Sequence, residues 1–249
     1  MTEHLSERQK AEKTYHDDRY RNKSADAPIG GIDAAYGFYW RIIGGVKGLK
    51  ILDYGCGNGW LSVQLAKAGA DVCGIDISGE LIKKANDLKA KHGLSSNPIF
   101  HEMPAENLTF PDAYFDVIAG SAVLHHTELD AALKNIARVL KPGGRAVFIE
   151  PMNQNILLKI WRALTPRRRS KTERALGATE LRLIKGAFPN VRFHFFDFST
   201  IAAHGLLAVA PKNKILLSFK RLLDRADTVI LKAAPWLGKY CAVVVLELR

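Results

Sequence analysis

From residue 50 onward, short apolar runs alternate with segments whose apolar positions recur every three or four residues. That alternation predicts a parallel sheet with crossover helices. Strands are expected over residues 50–54, 71–75, 99–102, 115–121 and 145–150, and helices over 61–68, 81–91 and 130–140. Gly69 and Gly93 stop the first two helices, and Lys141-Pro142-Gly143-Gly144 stops the third. A helix over 178–185, a strand over 191–198 and a valine-rich strand over 240–248 complete the series. Two segments break the rhythm. Residues 153–176 carry Ile156, Leu157, Ile160, Trp161 and Leu164 at helical spacing, then Pro166 and Arg167-Arg168-Arg169. Residues 199–238 contain an amphipathic helix whose apolar set is Ile215, Leu216, Phe219, Leu222, Leu223, Ala226, Val229 and Ile230. Its opposing face holds Lys214, Lys220, Arg221, Asp224, Arg225 and Lys232. The division expected is an amino-terminal segment over 1–45, read as a helical arm or lid or as a frayed terminus, and one α/β domain over 46–249 carrying both insertions.

Composition supports a packed domain: 249 residues, 47% hydrophobic and 24% charged. The net charge of +11 is uneven, because residues 151–249 hold 18 Lys and Arg against 6 Asp and Glu. Such asymmetry suits an anionic partner (nucleic acid, a phospholipid surface or an acidic substrate) or a basic surface without one. Aromatic interleaving around residues 167–171 is thin, which weighs against nucleic acid. The polar start, Met1 to Lys10, does not resemble a signal peptide, and no apolar run approaches the roughly 18 residues of a membrane span. Cys56, Cys73 and Cys241 show neither pair spacing nor metal-ligand spacing, so no metal is expected and a reducing cytoplasm is.

The chemistry starts at Asp53-Tyr54-Gly55-Cys56-Gly57-Asn58-Gly59, between the first strand and its helix. A dinucleotide turn reads G-x-G-x-x-G and sets its helix N-terminus against a pyrophosphate. Here Trp60 takes the third glycine's place, and an acidic residue stands two positions before the first glycine. A carboxylate repels a pyrophosphate but suits the ammonium and sulfonium of S-adenosylmethionine. The loop favours that cofactor over NAD.

Further stretches extend this reading: Gly74-Ile75-Asp76-Ile77-Ser78, Ala105-Glu106-Asn107-Leu108-Thr109-Phe110, Phe115-Asp116-Val117-Ile118, and Arg138-Val139-Leu140-Lys141-Pro142-Gly143-Gly144. With the glycine loop, they resemble the class I S-adenosylmethionine-dependent methyltransferases, in the group of ubiquinone-pathway and small-molecule enzymes. The resemblance covers roughly residues 48–150. It implies a Rossmann-like, doubly wound, seven-stranded and mostly parallel sheet with an antiparallel last strand, and helical insertions covering an acceptor pocket.

It also implies roles. Gly55, Cys56 and Gly57 form the cofactor loop, with Asp53 acting on the ammonium or fixing the turn through hydrogen bonds. Asp76 would accept from both ribose hydroxyls, or else cap the following helix. Ile77 would pack on the adenine face, or in the core, near Ala105 and Glu106. The family's aspartate before Ala-Glu is replaced by Pro104, which shifts adenine recognition to backbone groups or Glu106. Ser121 opens Ser121-Ala122-Val123-Leu124-His125-His126 at the carboxyl end of the fourth strand, where doubly wound folds bind ligands. His126, ahead of His125, is the candidate general base for a hydroxyl acceptor; the alternative is a structural histidine. No Asn/Asp-Pro-Pro-aromatic motif follows that strand, and Cys56 and Cys73 lie in the cofactor half, which argues against methylation of nucleic-acid bases.

Methyl transfer to an oxygen of a small or lipidic acceptor is therefore expected, with ring-carbon methylation of a quinone-like acceptor or N-methylation as alternatives. A cofactor-binding, membrane-associated partner protein without transfer activity is the reading from another class. The basic amphipathic segments suggest peripheral contact with an anionic membrane at its inner face, or a lid packed on the domain.

Overall fold

The computed structural model describes residues 5–21, 33–165, 170, 172–210 and 213–249. Seven strands form one sheet in the order β3-β2-β1-β4-β5-β7-β6. They are β1 (Lys50–Tyr54), β2 (Asp71–Asp76), β3 (Ile99–Glu102), β4 (Phe115–Ser121), β5 (Leu140–Pro151), β6 (Val191–Phe196) and β7 (Val243–Leu248). The first five pair in parallel, whereas β7 runs antiparallel to both β5 and β6. This is the Rossmann-like arrangement with an antiparallel last strand.

Period-two alternation sends neighbouring side chains to opposite faces and so creates two cores. Leu52, Tyr54, Ile118, Phe148, Val244 and Leu246 pack on one face, against α5 (Leu129–Val139) and α7 (Ala178–Ala187). Ile51, Val72, Val117, Val147 and Val245 pack on the other with Leu65 of α3 (Trp60–Lys67) and with Tyr39 and Ile43 of α2 (Asp33–Ile43). The amino-terminal helix α1 (Glu7–Tyr20) carries a capping box, with Ser6 accepting from Gln9 N at 3.2 Å, and packs against α4 (Gly79–Lys91).

Two details differ from the sequence reading. Lys141–Gly144 does not end the helix into a loop: β5 already starts at Leu140, which pairs with Phe115, and the register shifts before Val117 meets Arg145. The four residues form a bulge within the strand, secured by Lys141 Nζ to Asp116 at 2.7 Å. In the first insertion, the helical spacing expected from Ile156 to Leu164 is present as α6 (Ile156–Leu164), and the run Arg167-Arg168-Arg169 lies outside the described residues.

The second difference concerns the second insertion, which holds α8 (Ile201–Val209) and α9 (Lys214–Ala233), followed by a 3-10 turn over Pro235–Tyr240. The expected apolar face of α9 does not turn inward as a unit. Lys220 and Asp227 are buried, while Ile215, Phe219, Leu222 and Val229 are exposed. The cause is a polar anchor: the Asp227 carboxylate accepts from Ser199 N and Oγ and from Thr200 N and Oγ1, at 2.6–3.2 Å. Those donors stand at the start of α8, where helix N–H groups otherwise lack acceptors.

Candidate active site

The turn after β1 places Gly55, Gly57 and Gly59 at φ of +73°, +53° and +78°. A Cβ on Gly55 would come within 2.4 Å of Val123 Cγ2, so the loop after β4 fits against this turn only because a hydrogen stands there. Gly57 N donates to Asp76 Oδ2 and Ser78 N donates to Oδ1, both at 2.9 Å. The carboxylate at the end of β2 is thus aimed by backbone, and each oxygen keeps a lone pair. Burial raises the Asp76 pKa, partly offset by His16 and these hydrogen bonds. The cap of α4 is Ser78, whose Oγ accepts from Leu81 N at 3.2 Å, rather than Asp76.

Asp53 is buried at the end of β1 and accepts from Ser62 Oγ of α3 at 2.5 Å. Burial raises its pKa to about 7 against the opposing Ser62 bonds. It lines a cavity with Tyr36, Tyr39, Trp40, Asn58 and Ser121. There Ser121 Oγ and Tyr36 Oη lie 2.5 Å apart, and the buried Tyr39 hydroxyl has no hydrogen-bond partner among the described residues. Cys56 is buried beside Asp53, and burial pushes its thiol well up, away from the reactive thiolate.

A second cavity joins at Gly55 and is lined by Ile77, Met103, Ala105, Glu106, Asp76 and His126 together with Gln9 and Glu12 of α1. Ala105 O accepts from Tyr54 Oη at 2.6 Å. The Glu106 carboxylate is engaged on both oxygens, by Glu128 N at 3.0 Å, Gln9 Nε2 at 3.0 Å and Arg8 Nη1 at 3.5 Å. Glu106, expected at the adenine edge, lines this cavity while its side chain clasps α1 to the start of α5.

The two candidate histidines stand in different settings. His125 is buried, its Nδ1 2.7 Å from Glu150 Oε2. Glu150 also accepts from Val123, Leu124 and His125 N–H, so it organises the whole loop. His126 faces the arm, with Nδ1 3.1 Å from Glu12 Oε2. Burial lowers the His126 pKa, Glu12 countering it in part. The other Glu12 oxygen accepts from Ser170 Oγ at 2.7 Å and from Thr172 Oγ1. His126 borders a third cavity, lined by Tyr15, His16, Arg19, Tyr20, Ser121 and Glu173, which shares Gly55 and Asp76 with the second.

Glu12, His16 and His126 bring one carboxylate and two imidazoles within 4.8 Å, a donor set that could hold a divalent cation. Sequence reasoning missed Glu12, His16, Tyr36 and Tyr39. The signal available was the four-residue spacing of Glu12 and His16, which puts both on one helix face. Glu150 was also missed: it reads simply as the polar end of a strand.

Residues 52–148 match the family model described as a methyltransferase domain. A 100-residue stretch is 39% identical to 27-O-demethylrifamycin SV methyltransferase of Amycolatopsis mediterranei, covering 39% of this chain and 37% of that protein. A 111-residue stretch is 38% identical to the ubiquinone/menaquinone biosynthesis C-methyltransferase of Vibrio parahaemolyticus, covering 43% of each. The chain spans less than half the length of either relative. Among solved structures, magnesium protoporphyrin IX methyltransferase from Synechocystis with bound SAH shares the fold, with a TM-score of 0.61 and 16% identity over 96% of this chain and 98% of that one.

Proposed function

We propose that this chain, in which residues 52–148 form a class I S-adenosylmethionine-dependent methyltransferase domain, transfers a methyl group to an oxygen of a small or lipidic acceptor. The observation that carries the proposal is the meeting of the second and third cavities at Gly55, Asp76 and His126. One cavity takes the donor and the next the acceptor, with a titratable group between them.

The site suits the cofactor's three parts. Ile77, Met103 and the Ala105 backbone would flank the adenine, and the free lone pairs of Asp76 would accept from the ribose hydroxyls. The Tyr39 hydroxyl, buried without a partner among the described residues, and the ionisable Asp53 would meet the polar amino-acid end. When bound, S-adenosylmethionine supplies an electrophilic methyl on a sulfonium. The chain's share is alignment and water exclusion. Helix α1 serves as the lid, since Arg8, Gln9, Glu12 and His16 border the cofactor cavity.

His126 is the proposed base. With its pKa below the ordinary value it is neutral at pH 7, Nδ1 toward Glu12 and Nε2 able to accept the acceptor's hydroxyl proton. Nδ1 and Glu12 Oε2 lie within ion-pair distance without meeting hydrogen-bond geometry, and catalytic contacts of this kind often tighten only in the complex. His125 is a positioning residue: Glu150 holds its ring and the backbone beneath it. Carbon methylation remains the second reading, favoured by the quinone-pathway relative. Labelled S-adenosylmethionine supplied with candidate acceptors tests both, because the product's methyl resonance separates O-methyl from C-methyl. Label in neither, with cofactor bound, would defeat the proposal and favour a partner protein without transfer activity.

A further inference from the structure

The exposed apolar surface of this molecule is concentrated in one region. Among the described residues, every exposed large hydrophobic side chain except Ile99 and Leu183 lies on α6, α8 or α9, or in the turn after α9. These helices are contiguous, α6 packing on α8 and α8 on α9. On α6, Ile156, Ile160 and Leu164 recur every four residues, Leu164 at 77% exposure, while Leu158 turns in to the core. On α9, Ile215, Phe219, Leu222 and Val229 form a stripe, with Ile215 at 79% and Val229 at 67% exposure.

The basic residues of α9 are not opposite that stripe. At 3.6 residues per turn, Lys214, Arg221, Arg225 and Lys232 fall about 80–120° to one side of it, and all four are exposed. On the other side, half-buried Leu216, Leu223 and Ile230 lean toward the protein, and Lys220 and Asp227 are buried beyond them. The helix is fastened by the Asp227 anchor and these leucines, which leaves an apolar ridge with a basic shoulder facing out. Scattered exposed leucines need no explanation, but a ridge continued on a neighbouring helix does.

We infer that the α6–α9 helical cap is a membrane-docking surface for anionic phospholipid. The ridge inserts to the depth of the acyl boundary while Lys214, Arg221, Arg225 and Lys232 meet the headgroup charge. The occupant follows from charge: residues 151–249 hold 18 Lys and Arg against 6 Asp and Glu, which suits a polyanionic sheet and opposes a second copy of the same basic face. No described helix is long and apolar enough to cross a membrane, so the attachment at this surface is peripheral. The inference stands whether or not the acceptor is a lipid.

The test is flotation of the full chain with vesicles of phosphatidylcholine, alone or containing phosphatidylglycerol, at low and high salt. Binding to the anionic vesicles is expected, weakening with salt, and weakening by about fivefold for each of Arg225→Ser and Lys232→Ser. The pair Phe219→Glu and Leu222→Glu, at exposed positions, should abolish binding while the melting temperature stays within a few degrees. Equal binding to neutral vesicles, binding that survives the Glu pair, or no binding at low salt would each overturn the inference. So would light scattering that shows a dimer dissociated by the Glu pair, with vesicles left unbound.

Discussion

Burial disfavours the charged form at both Asp53 and His126, and so moves their titrations in opposite directions. Asp53 is buried with one hydroxyl donor, so its carboxyl resists ionisation until about pH 7, whereas the unfolded chain ionises near pH 4. Between those values the native state binds the extra proton. Its contribution to stability therefore falls as pH rises from about 4 to 7 and stays low above. Asp53→Asn should melt above the wild type at pH 8, by at least about 1 kcal/mol in unfolding free energy, with the gap closing toward pH 5. The same variant should bind S-adenosylmethionine more weakly, which calorimetry would report. At His126 burial disfavours the imidazolium, so turnover should rise with pH through a midpoint below 6.5 and stay level from 7 to 8. His126→Ala should lose about 10²–10⁴-fold in turnover with cofactor affinity retained. Glu12→Gln removes a neighbouring negative charge and should move that midpoint lower still. A midpoint unmoved by Glu12→Gln would leave Glu12 without the positioning role.

Among the elements, the helical cap is the least conventional, because α9 is secured by a carboxylate more than by its apolar face. Asp227→Ala strands four donors of Ser199 and Thr200 and should cost about 2–3 kcal/mol. Hydrogen exchange should quicken across α8 and α9 while the sheet stays protected; unchanged exchange there would disprove the anchor. This helix also marks where sequence reading ran out. Its apolar periodicity located the element, but period alone does not say which face docks. That choice depends on Asp227 finding Ser199 and Thr200, 28 and 27 positions earlier. The strands were legible because burial on both faces demands unbroken apolar runs such as Val117-Ile118-Ala119. The bulge at Lys141–Gly144 was hidden because Pro-Gly-Gly signals a helix stop and a strand irregularity equally. Asp76 was legible from its place at a strand end, whereas Glu12 was not: its partners, His126 and Thr172, lie more than a hundred residues away.

Over the whole molecule, charge and function divide along the chain. The nearly neutral first part builds the cavities proposed for the cofactor between β1, β2 and β4, at the sheet's carboxyl edge where crossing connections open a crevice. The basic remainder supplies the antiparallel strands and a cap whose exposed ridge faces away from them. Helix α1 couples the two, because Glu12 touches His126 on one side and Ser170 and Thr172 on the other. Through Glu12 the arm is tied both to the loop after β4 and to the segment leading to α7. The most direct test of the central claim is transfer of labelled methyl from S-adenosylmethionine into an organic-soluble extract, comparing the wild type with Asp76→Ala and His126→Ala. The account predicts label in a discrete product with the wild type. It predicts none with Asp76→Ala, which loses the cofactor, and almost none with His126→Ala, which retains it. Labelling by His126→Ala at the wild-type rate would remove the base, and wild-type labelling by Asp76→Ala would contradict the site itself.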